Sequence, residues 1–170
     1  CLIGFVDADM ATSPKEFFKL IETRGHYDGV IASRAKKGAV AKMTLIRKIT
    51  HKGFNFLVRS LFLIDYRDTQ CGAKLFKRYV IEEILQDLKL TQWAFDVNLL
   101  YSCKRKGFKI KEHPTVWEER DGSNIINIPR TTIQMFSGVL RLRLVYSFFE
   151  LILRPIKFIL NYSHKLLNKK

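Results

Sequence analysis

Two aspartates near the start of the chain, Asp7 and Asp9, are the residues whose type and spacing most clearly suggest chemistry. They follow an apolar run, residues 2–6, that is typical of a buried strand. Charge is excluded from a strand interior, so the pair must lie where the chain leaves the sheet, and in α/β folds ligands bind at that edge. Mg²⁺ and Mn²⁺ prefer carboxylate oxygens and fill their remaining positions with water and substrate phosphate. The pair therefore suits a divalent cation above a diphosphate, although an Asp-x-Asp tripeptide alone can also be a polar turn before a helix.

A helix is predicted directly after the acidic pair. Ser13 and Glu16 have the spacing of a capping box, and Pro14 occupies the first helical position between them. Apolar residues at helical spacing follow, and Gly25 is placed to end the helix. The carboxylates should therefore lie in a turn that connects a strand to a helix.

A second short buried strand is predicted over residues 28–34, with Arg34 at its polar tip. A strand-helix-strand unit of this length favours two parallel and adjacent strands, whose carboxyl ends lie side by side. Arg34 would then point where Asp9 points, and it could contact a phosphate that the metal also contacts. We therefore expect a cation site and an anion-binding arginine at one edge of the sheet.

The rest of the pattern predicts an α/β domain. Helical spacing covers residues 40–63, a strand is expected over 71–77, helices over 80–88 and 95–106, and an extended segment, interrupted by Pro114, over 108–116. With 170 residues, 47% of them hydrophobic, the chain can form one packed domain with an appendage.

The formal net charge of +14 is concentrated in two stretches. No acidic residue occurs between Arg34 and Ile64, and basic residues are interleaved there with apolar ones, which predicts one or two amphipathic helices. The second basic stretch is at the C-terminus. Such fields attract nucleic acid, an anionic lipid surface or a phosphorylated substrate, and the plain alternative is a solvated helix face. The basic residues of the first stretch are Arg34, Lys36, Lys37, Lys42, Arg47, Lys48, Lys52 and Arg59.

The cysteines and histidines argue against two other kinds of site. Three widely spaced cysteines do not form a disulfide framework or a zinc site, and they favour the reducing cytosol. The histidines lack ligand spacing, so we expect each of them to be a surface residue or a satisfied core residue. They are His26, His51, His113 and His164.

Residues 139–170 combine aromatic and aliphatic side chains with basic ones, as helices that lie in the lipid headgroup region do. The longest uncharged apolar stretch, residues 144–149, is far shorter than the ~20 residues of a spanning helix. Pro155 should divide the segment into two helices. We therefore expect a folded domain over residues 1–138 and amphipathic membrane-interface helices over 139–170. The alternative is a helix docked on its own domain or on a partner subunit.

Further clusters join the acidic pair. Asp68-Thr69-Gln70-Cys71-Gly72 places a carboxylate before a strand, and Trp93-Ala94-Phe95-Asp96-Val97 places another at a helix start. Trp117-Glu118-Glu119-Arg120-Asp121-Gly122-Ser123 follows. In this order and spacing, from Val6 to about Ser123, the chain resembles the family 2 glycosyltransferases that act on polyprenyl phosphates. Within that branch it is most similar to the dolichyl-phosphate β-glucosyltransferases.

The resemblance implies a GT-A (Rossmann-like) fold, of which residues 1–138 would form the C-terminal part of the catalytic domain. It also implies a nucleotide-diphospho-sugar donor, Mg²⁺ or Mn²⁺, a polyprenyl phosphate acceptor in the membrane, and inversion at the anomeric carbon. Asp7 and Asp9 match the metal-binding Asp-x-Asp. Arg34 matches the arginine of a Ser-Arg pair that contacts donor or acceptor phosphate, and Asp68 and Asp96 match acidic positions on the acceptor side.

Two positions bear on the donor. Arg120 matches a phosphate-binding basic position of mannosyl relatives that the glucosyl ones do not reliably share. Ala11 stands where mannosyl relatives often carry glutamine, and together with the Asp68 cluster it favours UDP-glucose over GDP-mannose.

The catalytic role of Asp68 and Asp96 is expected to be positional. A phosphate monoester is already largely ionised at pH 7, so these carboxylates would orient the donor sugar or the acceptor-side arginines, with base catalysis as a secondary possibility. Helix capping and salt bridging are the structural alternatives for both. Arg47 and Arg59 could hold the acceptor phosphate from the basic stretch, because an arginine fork binds phosphate bidentately.

These features predict an enzyme at the cytoplasmic face of a membrane. The alternatives are a GDP-mannose-dependent transferase of the same fold and a non-catalytic basic module that binds membrane or, less favoured, nucleic acid. The resemblance also implies a nucleobase-holding unit before the Asp-x-Asp. Residues 1–170 are therefore interpreted as a fragment that is inactive or weakly active in isolation.

Overall fold

The apolar runs of the sequence form the main sheet of the protein, for which a computed structural model describes residues 1–88, 94–118 and 128–147. Within those residues the sheet has four strands, in the order β1, β4, β2, β5. Their bounds are Leu2–Phe5 for β1, Gly29–Ser33 for β2, Lys74–Lys77 for β4 and Ile110–Pro114 for β5. Strand β4 is antiparallel to both β1 and β2, whereas β2 and β5 are parallel. The chain is thus a mixed α/β domain with a mixed sheet.

The expected adjacency of the first two strands is wrong, because β4 lies between β1 and β2. Strand β4 supplies apolar side chains to both faces of the sheet, Leu75 to one and Phe76 to the other, so it can occupy a central position. Both neighbours run antiparallel to it and are therefore parallel to each other. Their carboxyl ends still meet at one edge of the sheet.

Helices cover the two faces of this sheet. Helix α1 (Pro14–Thr23) buries Leu20 against Val30 and Leu75 on one face. Helices α3 (Arg78–Ile84) and α4 (Phe95–Arg105) pack on the other face, where Ile31 and Phe76 lie. The alternation of Val30 and Ile31 between the faces follows from the period of two in a strand.

The start of α1 confirms half of the predicted capping box. The Ser13 hydroxyl accepts a hydrogen bond from the Glu16 amide at 3.4 Å. The Glu16 carboxylate does not return to Ser13; it accepts from the Thr115 hydroxyl at 3.2 Å and the Val116 amide at 3.0 Å. Burial would raise the pKa of Glu16, but hydrogen bonds from Lys19 and Val116 hold it below its usual value. Glu16 thus ties α1 to the end of β5.

Several predicted elements have different bounds. The expected helix over 40–63 begins with a strand, β3 (Val40–Lys42), and continues as α2 (Leu45–Phe62). Strand β3 pairs in parallel with β6 (Val116–Glu118). The strand predicted over 71–77 forms only from Lys74, and a short 3₁₀ turn, Leu85–Asp87, follows α3.

Helix α5 (Ile128–Val145) packs against α2. Val139 and Leu142 are buried with Phe54 and Val58 of α2, so this part of the C-terminal segment docks on its own domain. The helix also runs through the boundary expected between residues 138 and 139, and residues 148–170 lie outside the described ones. No helix among the described residues combines the length and apolarity needed to cross a membrane.

Candidate functional site

The carboxyl ends of β1 and β2 lead to the acidic pair and to Arg34, as expected for the edge of an α/β sheet. The Asp7 amide donates to the Gly72 carbonyl at 3.1 Å and the Ala32 amide donates to the Ala73 carbonyl at 2.9 Å, so the ladders continue past the strands. The segment before β4 therefore lies between the two ends.

The Asp7 carboxylate rests against Gly72. A Cβ atom at position 72 would lie 1.9 Å from Asp7 Oδ2 and 2.7 Å from Oδ1. No side chain could occupy that position without moving the carboxylate. Gly72 is thus required by the close approach of Asp7.

Asp9 shapes the turn that follows. Its Oδ1 accepts a hydrogen bond from the Ala11 amide at 2.9 Å, and Met10 between them has a positive φ of 56°. This local bond is the polar-turn arrangement considered for the tripeptide. Both Asp7 and Asp9 remain exposed, so the turn also leaves the pair accessible from solvent.

Asp7 is poorly neutralised by its surroundings. Partial burial raises the pKa of its carboxyl group, and the negative charges of Asp96 and Asp9 raise it further. Lys74 and Arg34 act in the opposite direction without cancelling the rise in this pKa. Negative charge therefore accumulates at the edge of the sheet, where a bound cation would relieve it.

Lys74 is a functional candidate that sequence reasoning missed. Its side chain is 0% exposed, and its ammonium group donates to Asp96 Oδ1 and to the Cys71 carbonyl, each at 2.7 Å. The ammonium also lies 5.5 Å from the centroid of the Phe5 ring. The available signal was a lysine inside an otherwise apolar predicted strand. We call Asp7, Asp9, Lys74 and Asp96 the acidic cluster.

Asp68 and Arg34 form a buried bidentate pair. Arg34 Nε donates to Asp68 Oδ2 at 2.8 Å and Nη2 donates to Oδ1 at 2.9 Å, while the Arg34 amide also donates to Oδ2. The Asp68 side chain is 0% exposed and that of Arg34 is 12% exposed. His51 Nε2 lies 3.0 Å from Asp68 Oδ1.

The charge state of this pair is fixed. Burial alone would raise the pKa of Asp68, but the Arg34 guanidinium and His51 hold it far below its usual range. Burial would likewise lower the pKa of Arg34, and the Asp68 carboxylate raises it above its ordinary value. Asp68 therefore stays ionised and hydrogen-bonded, which suits the orientation of Arg34 better than proton transfer.

Trp117 brings a second arginine beside Arg34. The guanidinium carbons of Arg34 and Arg47 lie 5.4 and 5.6 Å from the centroid of the Trp117 ring. Trp117 lies in β6 and forms an isolated β-bridge with Thr12, which follows the turn that contains Asp7 and Asp9. No role for Trp117 was predicted, because its contacts join residues far apart in the sequence. We call Arg34, Arg47, His51, Asp68 and Trp117 the arginine cluster.

The structure does not bring Arg59 to this cluster. Arg59 is exposed and comes twelve residues after Arg47, about 18 Å along α2, on a different face of the helix. His51 is a satisfied, largely buried residue, as expected. Arg120 lies outside the described residues, as does Trp93.

The acidic cluster fits a hard divalent cation. Among residues 1–88, 94–118 and 128–147, no group of three or more His, Cys, Asp or Glu side chains could together hold a metal ion. That excludes a closed protein cage in the described part of the chain, whereas Mg²⁺ and Mn²⁺ need only one or two carboxylates beside substrate phosphate. The exposed pair and the raised pKa of Asp7 agree with that donor set.

Comparison with known proteins identifies the relatives of the chain. It is 34% identical over 154 residues to a dolichyl-phosphate β-glucosyltransferase of Dictyostelium discoideum, covering 86% of the chain and 46% of that protein. A dolichyl-phosphate β-glucosyltransferase of Drosophila melanogaster is 37% identical over 130 residues, 71% of the chain and 40% of that protein. Glycosyltransferase AglD of Haloferax volcanii is 31% identical over 153 residues, 89% of the chain and 24% of that protein.

The chain thus spans less than half the length of these relatives. No family model matches it. Two of these relatives are named dolichyl-phosphate β-glucosyltransferases and the third is named a glycosyltransferase, and the similarity extends over 71–89% of the chain. The chain belongs to the glycosyltransferase family that includes the dolichyl-phosphate β-glucosyltransferases.

Proposed function

We propose that the protein transfers glucose from UDP-glucose to a dolichyl-type phosphate at the cytoplasmic face of a membrane, with inversion and with the help of Mg²⁺ or Mn²⁺. We also propose that its α/β domain is of the GT-A type. The observation that carries the proposal is the 34–37% identity to dolichyl-phosphate β-glucosyltransferases over most of the chain. The free thiols of Cys71 and Cys103 agree with a reducing compartment.

The acidic cluster supports the donor half of the proposal. Asp7 and Asp9 would hold the cation, which would stabilise the charge that develops on the leaving diphosphate. Lys74 engages Asp96 Oδ1, and Asp96 keeps 28% of its side chain exposed. That exposure leaves Asp96 accessible to a sugar hydroxyl, so we assign it to orientation of the donor.

The arginine cluster supports the acceptor half. Asp68 occupies the Nε and Nη2 side of Arg34, and within the described residues Nη1 carries no hydrogen bond. The outer edge of the guanidinium can therefore bind a phosphate, with Arg47 beside it over Trp117. An ionised phosphate monoester is already a nucleophile, so the cluster has only to hold and aim it.

Helices α2 and α5 support a membrane position. The outer face of α2 exposes Leu45, Ile46, Ile49 and Phe56 at 58–74%, and α5 exposes Ile133 and Leu144. Exposed basic residues flank them. The other face of α2 carries Arg47, so the arginine cluster would lie one helix diameter, ~10 Å, from the face that contacts lipid. The basic residues flanking these apolar side chains are Lys48, Lys52, Arg59, Arg141 and Arg143.

The activity is tested with the full-length protein in membranes that contain dolichyl phosphate and Mn²⁺. Radiolabelled UDP-glucose should give an acid-labile glycolipid, and GDP-mannose should not. Asp9→Asn should abolish the product, and Ser60→Ala on the exposed side of α2 is the control. Product formed from GDP-mannose and not from UDP-glucose would show that GDP-mannose is the donor. Product that persists in Asp9→Asn would remove the metal assignment.

Membrane contact is tested by flotation of the full-length protein with anionic vesicles. The double variant Ile46→Ser and Ile49→Ser should weaken flotation, since it removes exposed apolar area from α2. Phe18→Ser is the matched control, because Phe18 is 61% exposed on α1. Equal losses in both variants would argue against a lipid face on α2. Retention on nucleic acid at physiological salt would instead favour the basic-module alternative.

A further inference from the structure

We infer that His51 is a positioning residue for the acceptor phosphate, because it joins the helix that carries Arg47 to the carboxylate that orients Arg34. The inference rests on the proposed function, in which these two arginines bind the phosphate. His51 itself does not reach the reacting atoms in this assignment. It sets the relative position of two groups that do.

The contact between His51 and Asp68 shows that Nε2 of the His51 ring carries a hydrogen. Asp68 is fully buried and ionised, so Oδ1 can only accept, and His51 Nε2 must therefore be the donor across the 3.0 Å contact. The same oxygen accepts from Arg34 Nη2 and from the Gln70 amide at 3.2 Å. His51 is thus part of the set of donors that fixes the carboxylate in the plane Arg34 needs.

Asn55, one turn further along α2, makes a second link to the same segment. Its Oδ1 accepts from the Thr69 amide at 2.9 Å and from the Thr69 hydroxyl at 3.1 Å. Its Nδ2 donates to the His51 carbonyl at 3.0 Å. Two residues on one face of α2 therefore hold two consecutive residues of the segment before β4.

The segment is fixed from the opposite side as well. Glu112 Oε1 accepts from the amides of Arg67 and Asp68 at 2.9 and 3.1 Å, so β5 holds the backbone on which the carboxylate stands. Any shift of α2 relative to this segment must therefore break the bonds of His51 and Asn55. The bonds to Glu112 oppose movement of the segment together with α2.

The position of Arg47 depends on the link that His51 makes to Asp68. Arg47 lies four residues before His51, on the same face of α2, with its guanidinium over Trp117 beside Arg34. Loss of the His51 bond would weaken the link between the first turn of α2 and Asp68, so Arg47 would be less firmly held relative to Arg34. The two arginines would then no longer present one matched site to a phosphate.

The test compares three variants of the full-length protein in the dolichyl phosphate assay. His51→Leu should raise the KM for the lipid phosphate roughly tenfold, the size expected from a lost hydrogen bond to a charged group, with little change in the KM for UDP-glucose. His51→Gln, which keeps a donor nitrogen, should recover most of the loss. Val58→Ala, which loosens the buried face of α2 without touching a polar link, should not reproduce the effect.

Two outcomes would overturn the inference. One is an equal KM change in His51→Leu and Val58→Ala, since the histidine would then only stabilise the helix. The other is a His51→Leu effect confined to kcat or to the donor KM.

A separate binding experiment distinguishes failure of this inference from failure of the proposed function. Calorimetry would measure a water-soluble short-chain prenyl monophosphate binding to the full-length protein without nucleotide sugar. Weaker binding by His51→Leu than by wild type would support the positioning role even if no glucose were transferred. Equal binding would overturn it, whether or not transfer occurs.

Discussion

In the arginine cluster one buried carboxylate is matched by a guanidinium, an imidazole and backbone amides, whereas the acidic cluster contains three carboxylates and one amine, that of Lys74, which is bonded to Asp96. The consequence is visible in the opposite pKa shifts of the two aspartates. Burial would raise the pKa of Asp68, but Arg34 and His51 together hold it far below its usual range, and the pKa of Asp7 rises because burial, Asp96 and Asp9 outweigh Lys74 and Arg34.

The two clusters therefore differ in whether their charges are balanced within the protein. The arginine cluster is internally balanced, so its geometry is set before any ligand arrives. The acidic cluster contains three carboxylates and one ammonium group, so added positive charge would stabilise its ionised form. Changes to the first should therefore cost folding stability, and changes to the second should alter cation binding.

The largest effect is expected for Asp68→Asn. It leaves the largely buried Arg34 without its counter-charge, and breaking a buried ion pair in this way costs about 3–5 kcal/mol of unfolding free energy at pH 7. Asp68 has a lower pKa in the folded than in the unfolded state, so its contribution is present above about pH 4 and declines below it.

Urea unfolding of wild type and Asp68→Asn at pH 7 and pH 3 measures both the cost and its sign. The gap between the two proteins should narrow at pH 3. A gap that is constant or wider at pH 3 would contradict the assignment of an ionised, paired Asp68.

A smaller effect is expected for Gly72→Ala. The added methyl group would overlap the Asp7 carboxylate, so the variant should lose about 1–3 kcal/mol of stability and bind Mn²⁺ more weakly. Free Mn²⁺ measured by electron paramagnetic resonance gives the affinity. Gly53→Ala is the control, because nothing lies within 4 Å of a Cβ there and alanine should stabilise α2 by about 1 kcal/mol. Unchanged Mn²⁺ affinity in Gly72→Ala would argue against Asp7 as a ligand.

Lys74→Met should cost about 1–2 kcal/mol, because Asp96 keeps some exposure and can hydrate when its partner is lost. The pKa of Asp7 should rise further, since Lys74 now lowers it. Protons would then compete with Mn²⁺ at higher pH, so the midpoint of a pH titration of Mn²⁺ binding should shift upward. Lys77→Met, on the same strand but paired with Asp28, should leave that midpoint in place.

The smallest effect concerns the rates of thiol modification. Burial raises the pKa of Cys103 to about 12 and also raises the pKa of Cys71, whereas Cys1 is exposed. Iodoacetamide at pH 8 should label Cys1 first, as followed by peptide mass spectrometry. Cys71 should become reactive earlier in Asp68→Asn than in Lys74→Met, because the first variant loosens the segment before β4 more. The reverse order would contradict the ranking of the two clusters.

The sequence predicted the parts of the site that are local. The apolar run before Asp7, the polar tip at Arg34 and the cap at Ser13 are each recognised within a few residues, and each forms where it was expected. The family resemblance supplied Asp68 and Asp96, which lie within the two clusters. These signals depend on spacing along the chain and require no knowledge of strand pairing.

The missed parts depend on contacts between distant segments. Strand β4 enters between β1 and β2 because both of its faces are apolar, which periodicity alone does not order. Trp117 meets Arg34 and Arg47 across separations of 83 and 70 residues, and His51 meets Asp68 across 17. The Glu16 carboxylate likewise accepts a hydrogen bond from Thr115, 99 residues away, and not from its expected capping partner Ser13.

The antiparallel course of β4 limits how this protein can vary. Because β4 enters the sheet at the site edge, one stretch of seven residues contacts both clusters: Asp68 holds Arg34, Gly72 admits Asp7, and Lys74 holds Asp96. An insertion or deletion of a single residue between Asp68 and Lys74 would shift one cluster relative to the other. The length of this stretch therefore sets the spacing between the arginine cluster and the acidic cluster.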